Sequence, residues 1–248
     1  MIGYHRIRRG LLTLYRTLVL ARPQKQPDLD WRVRGFVKKR KEVIFVNPLA
    51  ITRIAGLRAN GQIHHVERPR DVVTGRRHVG MILDDGDIYP VAPFDQNWAV
   101  KACREHWEQG HDWRDTGYRI GYEVYVEKNL VKDWDEFSRT RLERWDRLFQ
   151  DLTHGEYRTN KDPLDEVQVA VREDGEILFC DGKHRLTAAK ILGYTHIPVI
   201  VNFWTQGFID RVGSGMTPGE MARFLQGGCA PTPNAGPPGG RVFRLRSG

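Results

Sequence analysis

The stretch VQVAVREDGEILFCDGKHRLTAAKILGYTHIPVIV, residues 167–201, decides how this chain folds. Glu166 to Val171 alternates apolar and polar residues as a strand does, Glu173-Asp174-Gly175 is a turn sequence, and Ile177 to Cys180 reads as a second strand. Asp181-Gly182-Lys183-His184-Arg185 then opens a helix that runs through Leu192 and stops at Gly193, and Ile197 to Val201 is a short apolar, β-branched run expected to be a buried strand. Strand, hairpin, helix and strand in that order predict an α/β arrangement.

The junction at Asp181-Gly182 is also where chemistry is expected. The first amides of a helix lack internal acceptors, and the helix dipole adds a partial positive charge there. Gly182 would let a phosphate approach the backbone, while Lys183, His184 and Arg185 offer a point charge, a hydrogen-bond donor and a bidentate fork. The competing reading is a plain strand-to-helix turn, with Arg185 paired to an acidic neighbour and His184 packed and satisfied.

Working outward, Val43-Ile44-Phe45-Val46 predicts a strand stopped by Asn47-Pro48, with a short helix at Leu49-Ala50-Ile51. Val79 to Leu83 and Ile88 to Val91 predict strands joined through the turn Asp84-Asp85-Gly86-Asp87. Phe94, Trp98 and Ala102 fall four apart behind Asp95 and predict a helix stopped by Gly110. Tyr118 to Val126 alternates as a strand, and Trp134 to Leu152 is a strongly amphipathic helix. A last helix is expected over 217–226, opened by Thr217-Pro218-Gly219-Glu220, before a tail rich in Gly and Pro.

The 248 residues include 39 Lys or Arg and 31 Asp or Glu, a formal net charge of +8. The excess sits at the ends. Residues 1–41 carry 12 basic residues against Asp28 and Asp30, residues 229–248 carry three arginines, and residues 42–228 are net −5. Within the first segment Leu11, Leu14, Tyr15 and Leu18 form an apolar stripe flanked by Arg8, Arg9 and Arg16. This is a basic amphipathic helix, expected to dock on the protein's own core, with a membrane surface or a partner as the alternative. Residues 22–41 read as a solvated linker. Arg16 interrupts the apolar region and no cleavage site is evident, so export is not expected. Cys103, Cys180 and Cys229 make neither a CxxC motif nor a disulfide framework, which points to a reducing, cytoplasmic compartment.

Residues 167–201 resemble the ParB/sulfiredoxin-like domain, whose members share a strand, a GxHR or GERR-type turn, a helix containing Ala-Ala and an Ile-Pro-Val strand. KEVIFVNPLAITRI, residues 41–54, is similar to that domain's first strand and helix. The resemblance implies an α/β (α+β) fold, a mixed sheet with flanking helices over residues 42–212, enlarged by an insertion at about 57–160. A basic arm over 1–41, a C-terminal helix over 213–226 and a disordered tail over 227–248 would complete the chain. In nucleotide switches and free-serine kinases of this fold the equivalent turn holds nucleotide phosphates, which agrees with the reading of Gly182, Lys183, His184 and Arg185.

The chain also departs from the family's patterns. Lys183 stands where sulfiredoxin has its catalytic cysteine, no glutamine-rich phosphate motif or helix-turn-helix follows, and no acid accompanies Asn47-Pro48-Leu49 where the serine-kinase type has its base. Asp87 is therefore the expected catalytic partner of Asp181 and His184, with Asp84 and Asp85 as metal candidates, although a turn rich in Asp and Gly needs no function to exist. His64-His65 and His106 with His111 lack zinc-ligand spacing. Trp98, Trp107, Trp113, Trp134 and Trp145 at helical spacing are expected in a core rather than under nucleobases.

The sequence thus predicts a nucleotide-phosphate-binding protein, a small-molecule kinase or nucleotide hydrolase that uses ATP, ADP or CTP with Mg²⁺. The alternatives are a DNA-associated nuclease or clamp, or a membrane-tethered binding module, each using residues 1–41 to touch DNA or an anionic membrane.

Overall fold

A computed structural model describes residues 35–36, 43–59, 62–65, 79–127, 130–155, 166–212, 220 and 225. The expected arm helix, the 217–226 helix and the tail lie outside those residues, apart from residues 220 and 225.

The centre is the stretch that opened the sequence reading. β7 (Val167–Val171) and β8 (Ile177–Asp181) form the expected antiparallel hairpin, with Gly175 in the left-handed region at φ 89°. α5 (Lys183–Ile191) then crosses over and β9 (Ile197–Thr205) returns parallel to β7. All nine residues of β9 are buried, four more than the apolar run announced, because Asn202-Phe203-Trp204-Thr205 continue the strand. β7 takes one edge of β9. The other edge is shared end to end by β2 (Ile44–Val46), antiparallel at Ile197 to Val199, and β5 (Met81–Leu83), parallel at Phe203 to Thr205.

β1 (Gly35–Phe36), β3 (Arg53–Ala59), β4 (Gln62–His65) and β6 (Ile88–Pro93) complete one mixed sheet in the order β1-β5-β9-β7-β8-β3-β4, with β2 on β9 and β6 on β3. The α/β class is as expected. Two local expectations are corrected. Gly35–Phe36, expected in a solvated linker, pairs with β5. β5 and β6 are not a hairpin, since β5 joins β9 while β6 joins β3, each drawn to a longer buried strand.

Within residues 57–160, β4, β5 and β6 belong to the sheet. A helical layer packs against it, built from α1 (Trp98–Trp107), α2 (Tyr118–Glu127), α3 (Trp134–Phe137), a π-helical segment Ser138–Leu142 and α4 (Glu143–Thr153). α2 corrects the strand expected over 118–126. Tyr118 and Gly121 are buried and Tyr122 and Tyr125 half-buried, a spacing of three and four, while Ile120 of the misleading alternation is 63% exposed. The short turn at Pro48–Ala50 is 3₁₀, capped by Asn47.

Two cores result. The sheet's core is mostly aliphatic, and it takes in Ile54, Leu57, Val169, Leu178, Leu186, Val199 and Phe203. The helical layer has its own cluster around Ala102, Cys103, Trp113, Tyr118, Phe137 and Leu142, ringed by Trp107, Tyr122, Tyr125, Trp134 and Trp145. α6 (Gln206–Val212) follows β9 without a break. Among the described residues no helix is long and apolar enough to cross a membrane.

Candidate functional site

Gly182 is the residue before α5 and adopts φ 88°, ψ 30°, a left-handed conformation that costs a residue with a Cβ about 1 kcal/mol or more. Space excludes a side chain as well, since a Cβ there would lie 3.0 Å from Val167 Cα. The chain therefore turns from strand to helix in one residue only because position 182 is glycine. Asp181, exposed at the end of β8, accepts a 2.7 Å hydrogen bond from the Gly182 amide. Lys183, half-buried, lies with its ammonium 5.5 Å from the centre of the Trp98 ring.

The next two residues have partners inside the protein. Arg185 donates to Glu166 across 2.6 Å, and both side chains are largely buried, Glu166 completely. His184 stacks on Trp145, with ring centres 3.9 Å apart and planes 16° from parallel, and shares a hydrogen bond with the Tyr118 hydroxyl. Tyr118 also bonds to the Cys103 thiol. Burial pushes the Cys103 thiol up to about 12, raises the Tyr118 phenol well above its usual value and holds the His184 imidazole well below its own, Lys183 and Arg144 adding to the last effect. Cys103, Tyr118 and His184 are thus all neutral near pH 7. Cys180, just before the turn, is buried in β8 and its thiol is pushed up by burial, so neither thiol is poised as a nucleophile.

A feature that no short motif announced surrounds this turn. The first residues of three helices meet: Trp98 of α1, Tyr118 of α2 and Lys183 with His184 of α5. The Trp98 and Tyr118 rings are 5.2 Å apart, edge to face, and Lys183 and His184 reach one ring each. None of the three helices has an acid in its first turn, whereas α3 and α4 do. Neutral groups cap the first two: Asn97 accepts from Ala99 N at 2.9 Å and the Thr116 hydroxyl from Tyr118 N at 3.2 Å. Glu105 reaches the Gly117 amide only at 3.4 Å. Trp98 is 42% exposed, and its ring edge fits against Gly121, where a Cβ would come within 2.7 Å of Trp98 Cη2. The aromatic side chains that open α1 and α2 thus line the start of α5 beside Lys183.

The acids of the β5–β6 connection sit in a tight turn, where Asp84 O accepts from Asp87 N at 3.2 Å and Asp87 O accepts from Arg58 N of β3 at 2.8 Å. Asp85 is engaged there, accepting from the Gly207 amide at 2.7 Å and closing the start of α6. Asp181, Gly182, Lys183, His184 and Arg185 stand together at the β8–α5 turn, and Asp84, Asp85 and Asp87 stand together at the β5–β6 turn. Among the described residues no three His, Cys, Asp or Glu side chains converge to hold a metal ion.

Of the histidines, His106 stacks on Trp113 and bonds to Asp146, which also accepts from the Trp107 and Trp113 indoles, so these groups pin the helical layer. Tyr118 and Glu166 are the residues at this site that sequence reasoning missed by name. Glu166 fits the general expectation of an acidic partner for Arg185, but Tyr118 was concealed by the strand-like alternation around it. No protein-family model matches the sequence, and no curated protein or solved structure matches the chain.

Proposed function

We propose that this chain is a nucleotide-phosphate-binding protein built on a ParB/sulfiredoxin-like centre, with the β8–α5 turn as its phosphate site. The observation that carries the reading is the start of α5 at Gly182, a helix with no acid in its first turn and with the Lys183 ammonium beside the exposed Trp98 ring. In this reading the first amides of α5 and the Lys183 ammonium receive phosphate oxygens. Arg185 and His184 hold the turn in place rather than touch the ligand, because one is committed to Glu166 and the other to Trp145 and Tyr118.

Binding is favoured over phosphoryl transfer. Transfer asks a protein mainly for positioning and charge neutralisation, which the turn can supply, but also for a group to orient the nucleophile. Asp181 is the carboxylate at the turn itself, and one of its oxygens already accepts from the Gly182 amide. Mg²⁺ enters this reading only as a companion of the nucleotide's own phosphates, since the described residues offer no ligand cluster.

Isothermal titration with ATP, ADP and CTP, each with and without Mg²⁺, tests the proposal. The expected result is saturable binding to the native protein that Lys183→Ala weakens at least tenfold. Absence of binding by all three nucleotides, or binding indifferent to Lys183→Ala, overturns it.

A further inference from the structure

His184 is one of the contacts that join the two cores, alongside Val100 of α1 and Leu152 of α4, which lie in the sheet's core. It belongs to α5, whose Leu186, Ala188 and Ala189 pack in the sheet's core, yet its own ring stacks on Trp145 of α4 and bonds to the Tyr118 hydroxyl of α2, two rings whose centres are themselves 4.7 Å apart. The groups that face it are those of a site built for an uncharged ring. From α2 comes the Tyr118 hydroxyl, backed by the Cys103 thiol of α1, both neutral near pH 7. From α4 come the Trp145 face and the Arg144 charge, and on α5 itself stands the Lys183 charge, both unfavourable to a second cation. Glu166 is committed to Arg185, and Asp146 to His106 and two indoles.

We propose that His184 is a positioning residue that docks the helical layer on α5 only as a neutral imidazole, so that taking up a proton releases the layer. The proton comes from solvent and binds an imidazole nitrogen. In the docked state it meets two cations and aromatic walls, whereas in the released state water receives it. Docking is therefore complete above the ordinary histidine value of 6.5 and is lost progressively as pH falls below it. At pH 5.5, one unit below that value, the opening equilibrium should rise about tenfold. This goes beyond the phosphate-binding reading and does not depend on it.

Hydrogen exchange on the full chain without ligand tests the proposal, with rates corrected for the intrinsic effect of pH. Between pH 7.5 and 5.5, protection of the α2 and α4 amides should fall about tenfold while β7 and β9 keep theirs. In His184→Gln the same helices should be less protected at both pH values, with the tenfold difference removed. An unchanged tenfold difference in His184→Gln, or none in the native protein, overturns the proposal. Where His184→Gln does not fold, NMR of the native protein decides: the docked His184 ring should stay neutral down to pH 5.5, and titration near 6.5 without loss of docking contradicts the proposal.

Discussion

Two helices of this protein, α5 and α6, start in the same way and end up with different chemistry. Each follows a buried strand almost without a loop, α5 after β8 and α6 after β9. At α6 the chain supplies its own anion, for Asp85 reaches over from the β5–β6 connection and takes the Gly207 amide. At α5 Asp181 accepts from the residue before the helix and faces solvent, and Glu166 is bound to the Arg185 side chain. The side chains that open α1 and α2 gather there as well, with Lys183 beside the Trp98 ring and His184 bonded to Tyr118. A strand running straight into a helix is therefore not a site in itself. What distinguishes the two ends is where the acid binds: Asp85 takes a backbone amide of α6, whereas Glu166 takes the Arg185 side chain of α5.

The comparison can be broken most severely at Glu166. Glu166→Ala leaves Arg185 largely buried without its carboxylate and should destabilise the protein by about 3–5 kcal/mol, read as a shift in the urea midpoint. The double variant with Arg185→Ala should recover part of that loss. Equal losses in the single and double variants would mean that the pair does not anchor the α5 turn.

Gly182→Ala comes next. A Cβ at φ 88°, 3.0 Å from Val167 Cα, should cost roughly 1–3 kcal/mol. Stability equal to the native protein's would contradict the single-residue turn.

Asp85→Ala sharpens the contrast. It should cost about 0.5–2 kcal/mol, the usual worth of a side-chain cap at a helix start, while leaving nucleotide binding unchanged. Lys183→Ala should do the reverse, moving stability by less than about 0.5 kcal/mol while weakening nucleotide binding at least tenfold. If Asp85→Ala weakened binding as much as Lys183→Ala, the two helix starts would not be functionally distinct.

The parts of this contrast that were legible in the sequence are those set by local rules. The β7–β8 hairpin follows from Glu173-Asp174-Gly175, the helix start from Asp181-Gly182, and β9 from Ile197 to Val201, where chain neighbours decide the outcome. Tyr118 to Val126 was illegible because its residues satisfy both periods. Tyr118, Ile120, Tyr122 and Val126 alternate, yet Tyr118, Gly121, Tyr122 and Tyr125 fall on one helical face, and only the presence of Trp98, Trp134 and Phe137 selects the second. The same long-range packing hid Tyr118 from the site.

The placement of Asp84, Asp85 and Asp87 was illegible for another reason. Their turn is readable from Gly86 at φ 80°, but nothing local says that β5 joins β9 rather than β6. That choice brings Asp85 to the start of α6, where it accepts from the Gly207 amide.

The most direct test of the central claim compares the two helix starts in one experiment. In an amide NMR titration of the native protein with ATP, the Gly182, Lys183, His184 and Arg185 amides should shift with one saturable curve while the Gln206 and Gly207 amides stay in place. Shifts at Gln206 and Gly207 with none at Gly182 to Arg185 would contradict the account.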